Sequence, residues 1–170
     1  MACCAGANAP STPVAPVYRF YRKDFGPLIT KPQHLDLTFD IREDAVRVTA
    51  TTTFFHTVKE PLSVLKLNSK DLQIESVEML TGCSNLSNVP SSEDFVAHVA
   101  SFGKSSATKL QFEVDAKDHF LNVTLAEPLQ EGQQLVLRTV SVAKPTAHIL
   151  EGLYYDYTPK DQPKTIITLV

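Results

Sequence analysis

From His34 to Phe55 apolar and polar residues take turns along the chain. Leu35, Leu37, Phe39 and Ile41 alternate with Asp36, Thr38 and Asp40. A period of two places one set of side chains on each face of a strand, here apolar groups toward a core and carboxylates toward water. After Arg42-Glu43-Asp44 the rhythm resumes, with Val46, Val48, Ala50, Thr52 and Phe54 on one side and Arg47 and Thr49 on the other. Threonine and valine suit a pleated surface and lose rotamer freedom in a helix. The stretch therefore predicts two long strands joined by a tight turn, their apolar sets sharing a buried face. Arg47 is expected opposite Asp40 or a neighbour, a pairing that helps fix the register.

The same logic carries down the chain. Leu62 to Leu67 predicts a short strand, and the apolar positions of Asp71 to Leu80 fit a strand interrupted by a bulge. Thr81 to Ser92, rich in Ser and Asn, predicts a surface loop. Phe95 to Phe102 is expected to add another short strand. Gly103 to Thr108 (GKSSAT) lacks the upstream glycine and the helix of a phosphate-binding loop and is read as a turn. Lys109 to Val114 and His119 to Leu125 predict a second hairpin around Asp115 to Asp118, and Gln133 to Val142 a further strand after the turn Pro128 to Gly132. About eight short-spaced strands and no helix predict an all-β protein, an antiparallel sandwich or an open barrel-like sheet.

The ends read differently. Residues 1–16 are small and Pro-rich and are expected to form a disordered arm, leaving 17–170 as a single β domain. The arm lacks the apolar core of a secretory signal. Its Ala-rich, acid-free start followed by Arg19 and Arg22 keeps an organelle location open beside a cytoplasmic one. Val17 to Phe25 alternates aromatic and basic residues, as an edge segment does when it lays rings on a sheet and lets its cations reach water.

Composition narrows the function classes. A hydrophobic share of 43% and a charged share of 21% are those of an ordinary globular domain. A net charge of -3 offers no electrostatic case for nucleic acid or an anionic membrane. No apolar run approaches the roughly 18 residues of a membrane span. Cys3, Cys4 and Cys83 make a poor disulfide framework and form no C-x-x-C pair, which points to a reducing compartment.

Chemistry is scarce. His34, His56, His98, His119 and His148 never stand four residues apart, and none lies in an H-E-x-x-H arrangement. No serine sits in a G-x-S-x-G elbow, and Glu43-Asp44 and Glu93-Asp94 fall in turns or loops, where carboxylates are solvated. From composition and spacing, no catalytic residue and no metal ligand is predicted.

Three segments do carry a resemblance. Leu150-Glu151-Gly152-Leu153-Tyr154 is similar to the L-E-G-L-Y signature that closes the N-terminal β domain of zinc aminopeptidases of the aminopeptidase N and leukotriene hydrolase type. Leu65 to Leu72 (LKLNSKDL) resembles the family's L-x-L-N-x-x-D-L, and Leu35 to Asp40 with Val46 to Thr53 resembles its opening hairpin. The resemblance spans about residues 18 to 168 and implies a twisted, saddle-like β structure that packs against a thermolysin-like catalytic domain. It carries over a scaffold without its machinery. The zinc-binding H-E-x-x-H of the family lies in that next domain, so the resemblance implies no cofactor in this chain, zinc belonging to the full-length relatives. The family's glutamine-containing stretch follows the equivalent of Thr168, where this sequence has Leu169-Val170.

The implied partner is a catalytic metallopeptidase domain or another protein subunit. Glu151, Gly152, Leu153, Tyr154, Tyr155 and Tyr157 are the candidate interface, because three tyrosines cluster beyond the glycine. Those rings either cap the sandwich or face a neighbouring domain. The expected role is that of a truncated or stand-alone N-terminal module of a zinc aminopeptidase, itself inactive. A non-catalytic β-sandwich interaction subunit of a larger assembly is the alternative. A sugar- or lipid-binding sandwich has only the fold in its favour, since the chain has no tryptophan.

Overall fold

The computed structural model of the chain describes residues 26–42, 44–87, 90–145, 153–155, 161–162 and 166–168, with 153–155 and 166–168 as backbone. The arm expected over 1–16 and the aromatic–basic stretch over 17–25 lie outside these residues.

The alternating stretches form strands where the period of two places them. β1 (Thr30–Ile41) and β2 (Val46–His56) make the predicted hairpin, with Asp40 and Arg47 as register partners. Their side chains part company, however. Arg47 Nε donates to Glu75 Oε2 at 2.7 Å, while Asp40 takes Arg42 at 2.6 Å. β3 (Leu62–Asn68) is followed by β4 (Leu72–Thr81), whose register slips between Ile74 and Ser76, the expected bulge. β5 (Ser106–Lys109), β6 (Gln111–Asp115), β7 (Phe120–Leu129) and β8 (Gln134–Ala143) follow. A short ribbon of β9 (Leu153–Tyr155) and β10 (Ile166–Thr168) closes the order.

Eight of these strands build two antiparallel sheets. One has five strands in the order β1-β2-β8-β4-β5, the other three in the order β3-β7-β6. The all-β architecture expected from the sequence is thus a sandwich without barrel closure. Its core is the seam between the sheets. Phe54, Val77, Leu135 and Leu137 of the larger sheet meet Leu65, Leu121, Val123 and Leu125 of the smaller one. The chain changes sheets at Ser69 to Asp71, between β3 and β4. Asp71 takes φ 55° there, a left-handed conformation that Asp tolerates better than most residues.

Three expectations are corrected. Phe95 to Phe102 is not a strand but most of α1 (Ser92–Phe102), the single helix among the described residues. Ser91 caps it: the Asp94 amide donates to Ser91 Oγ at 3.2 Å, and the Ser91 amide donates back to the Asp94 carboxylate at 2.8 Å. That reciprocal box satisfies two amides that a helix start leaves unpaired. Hydrogen bonding to Ser91 also holds the Asp94 carboxyl below its usual range. Along one side of α1, His98, Val99 and Phe102 pack on the outer face of the larger sheet against Thr53, Leu80 and Val136. The GKSSAT stretch is a turn only as far as Ser105, after which β5 begins.

The third correction concerns β1. Its apolar set was expected in the core, yet Leu35, Leu37, Phe39 and Ile41 are 54%, 44%, 52% and 64% exposed. The reason is width. Strands lie about 4.8 Å apart, so five strands overhang three by about two strand spacings. The smaller sheet covers β8, β4 and the Phe54 end of β2, and β1 contributes nothing to that core.

Candidate interface site

Leu153, Tyr154 and Tyr155 of the predicted interface form β9, and their backbone pairs with Thr168, Ile167 and Ile166 of β10. These three residues therefore sit on a two-stranded ribbon. Glu151, Gly152 and Tyr157 lie outside the described residues, as do His148, Cys3 and Cys4.

Three of the remaining histidines, His34, His56 and His98, serve packing. His98 is fully buried on the sheet-facing side of α1, a position that disfavours charge and lowers its pKa, with the neighbouring His34 acting in the same direction. Nδ1–H donates to the Ser84 carbonyl at 2.5 Å, and Thr53 Oγ1–H donates to Nε2 at 2.6 Å, so the neutral ring uses both nitrogens. The rings of Phe102 and His34 meet it edge-on at 4.9 and 6.0 Å. His34 stacks on Phe95 at 5.2 Å, and its Nε2 is buried without a hydrogen-bond partner among the described residues. His56, also fully buried, places its ring nitrogens 3.1 Å from the Ile29 carbonyl and 2.8 Å from that of Glu60. His119 stands exposed in the β6–β7 turn at φ 58°.

This donor set does not fit a zinc ion. Zinc needs three or four converging side chains with free donor atoms. Among the described residues no group of three or more His, Cys, Asp or Glu side chains converges, and His98 has neither nitrogen to spare. Cys83 is a half-buried thiol beside the α1 contact. No helix among the described residues is long and apolar enough to cross a membrane.

Two clefts open at the β7–β8 turn. One of about 720 Å³ is lined by Met79, Thr81, Thr108, Pro128, Leu129 and Gln133, with Glu127 the single ionisable group among the described lining residues. The other, about 500 Å³, is lined by Phe55, Asn85, Leu86, Gly132, Gln133 and Gln134. Gln134 closes its floor by accepting the Leu86 amide at 3.0 Å and donating to the Leu86 carbonyl. Among the described residues neither cleft is lined by two ionisable groups. Two further features stand beside the clefts: the β9–β10 ribbon, described as backbone, and the exposed apolar stripe of β1. Sequence reasoning missed the second, although the residues that form it were the first to be picked out.

No family model matches the sequence, and no curated protein matches it. Among solved structures, the chain is similar to two of a mutant M1 zinc metallopeptidase from Deinococcus radiodurans, one of them bound to a Tyr-Ser-Ala substrate. Identity is 18% and 19%, the TM-score is 0.48 for both, and each likeness covers 74% of this chain. The chain spans 24% of the length of those proteins.

Proposed function

We propose that the chain is the non-catalytic N-terminal β module of a zinc aminopeptidase, walling the cleft of a separate catalytic domain. In such an enzyme a metal-activated water removes N-terminal residues from peptides, and the metal is held by that other domain. The support is the set of three motifs met in order along the sequence: Leu35 to Asp40, Leu65 to Leu72 and Leu150 to Tyr154. The middle one has a physical job. Leu65 is a buried core residue, Leu67 packs beside it, and Asp71 makes the left-handed turn by which the chain passes between sheets.

The test is direct. The purified chain is assayed for zinc by plasma emission and for release of product from a leucyl anilide. The expected result is zinc well below one atom per chain and no release. Stoichiometric zinc, or hydrolysis that a chelator abolishes, overturns the reading. The exposed stripe of β1 also favours a second reading, a β-sandwich interaction subunit, because a patch of large apolar side chains in water marks a contact surface. A pull-down that recovers a metallopeptidase domain distinguishes the two.

A further inference from the structure

The outer edge of β1 and the apolar stripe beside it form one continuous surface. Among the described residues β1 bonds to β2 on one side only, so its other side offers backbone N–H and C=O groups that no described strand pairs. Sheets blunt such edges with proline, lysine or bulges. Here Lys31, Pro32 and the irregularity before His34 do so at the start of the strand. From His34 to Ile41 the register is unbroken, and the sequence has no proline, lysine or glycine.

We propose that this edge is a self-association surface, pairing antiparallel with β1 of a second copy about a two-fold axis through Leu37. The register follows from charge and from the length of strand available. An axis at Thr38 sets Asp36 against Asp40, and one at Asp36 sets that carboxylate against its own copy; like charges directly opposed are unfavourable. An axis at Phe39 runs the pairing into the turn that Arg42 closes on the Ala45 carbonyl. At Leu37 every opposed pair lies within the strand: Leu35 meets Phe39, Leu37 meets itself, Asp36 meets Thr38 and His34 meets Asp40. Opposed residues of an antiparallel pair share a face. The two apolar stripes therefore adjoin along the seam, and His34 of one copy stands opposite Asp40 of the other on the same face of the sheet. The contact is isologous and closes as a dimer, with the five-stranded sheets continuous across it.

Sedimentation equilibrium of the chain across the micromolar range tests this. The expected result is a mass that doubles as concentration rises. Leu37→Lys sets two ammonium groups against each other across the axis and is expected to give a monomer at every concentration. Its circular dichroism and thermal midpoint should be kept, since the Leu37 side chain is exposed. A second pair of variants reads the register. With Cys3 and Cys4 replaced by serine, Leu37→Cys is expected to form a disulfide-linked dimer under mild oxidation. Val64→Cys, equally exposed but on the other sheet, is not. Four outcomes overturn the proposal: a wild-type chain monomeric throughout, a Leu37→Lys chain that still dimerises, equal cross-linking of both cysteines, or slow amide exchange along the outer edge of β1 in a monomer. The last assigns that edge to another part of the same polypeptide.

Discussion

His98 shows how one side chain can be both polar and part of a core. Each ring nitrogen is matched to a group of the right kind, a carbonyl for the proton and a hydroxyl for the lone pair, so burial costs little only while the ring is neutral. Burial lowers its pKa in the folded chain, and the neighbouring His34 acts in the same direction. The unfolded chain then binds the proton more readily than the folded one, so stability rises with pH through the region between the two values. Urea unfolding should give a free energy that is level above about pH 7 and falls as pH drops below the ordinary histidine value of about 6.5. A single proton contributes at most about 1.4 kcal/mol per pH unit to that slope. His98→Gln should be less stable but should lose one proton's worth of slope. An unchanged slope in the variant would assign the dependence to another group.

At the scale of elements, α1 rests on its first turn. Ser91→Ala removes the side-chain half of the cap and should lower stability by about 1 kcal/mol, measured by the same denaturant titration, with Ser91→Gly costing less. That cap was the legible sign of a helix, since Ser91-Ser-Glu-Asp94 followed by an apolar run is a capping-box pattern. Against it, Phe95, Ala97 and Val99 imitate a period of two, and the helical set Phe95, His98, Val99, Phe102 emerges only when His98 counts as a core residue. The long strands were readable for the opposite reason: Leu35 to Ile41 and Val46 to Phe54 alternate over enough residues to leave no other period. What alternation cannot tell is whether a second layer is wide enough to cover the face it defines. Periodicity identified the stripe of β1 as one surface, while only the three-strand width of the opposing sheet explains why it is exposed. Of the tyrosine-rich candidate interface, the structure describes a backbone pairing at Leu153 to Tyr155 and no side chain.

For the whole molecule the decisive strand is β8, flanked by β2 and β4 in the larger sheet and facing the smaller one. Leu137 on that strand is 1% exposed. Leu137→Ala opens a cavity where both layers meet and should cost about 2–5 kcal/mol in denaturant titration. Hydrogen exchange in dilute protein should rank the same way: amides of β8, bonded on both sides, exchange slowest, and those on the outer edge of β1 fastest. Uniform exchange across the five-stranded sheet would contradict the layered account. The partnership of β2 with β8 also sets a clock for a chain made from its N-terminus. Phe55 pairs with Gln134, and the His56 amide bonds to the Gln133 carbonyl, so the opening hairpin finds its permanent neighbour only after about eighty further residues have been added. At roughly 5–20 residues per second of synthesis, both long strands emerge from the ribosome and wait on the order of 4–16 s with two open sides, an interval in which a chaperone has the first claim on them.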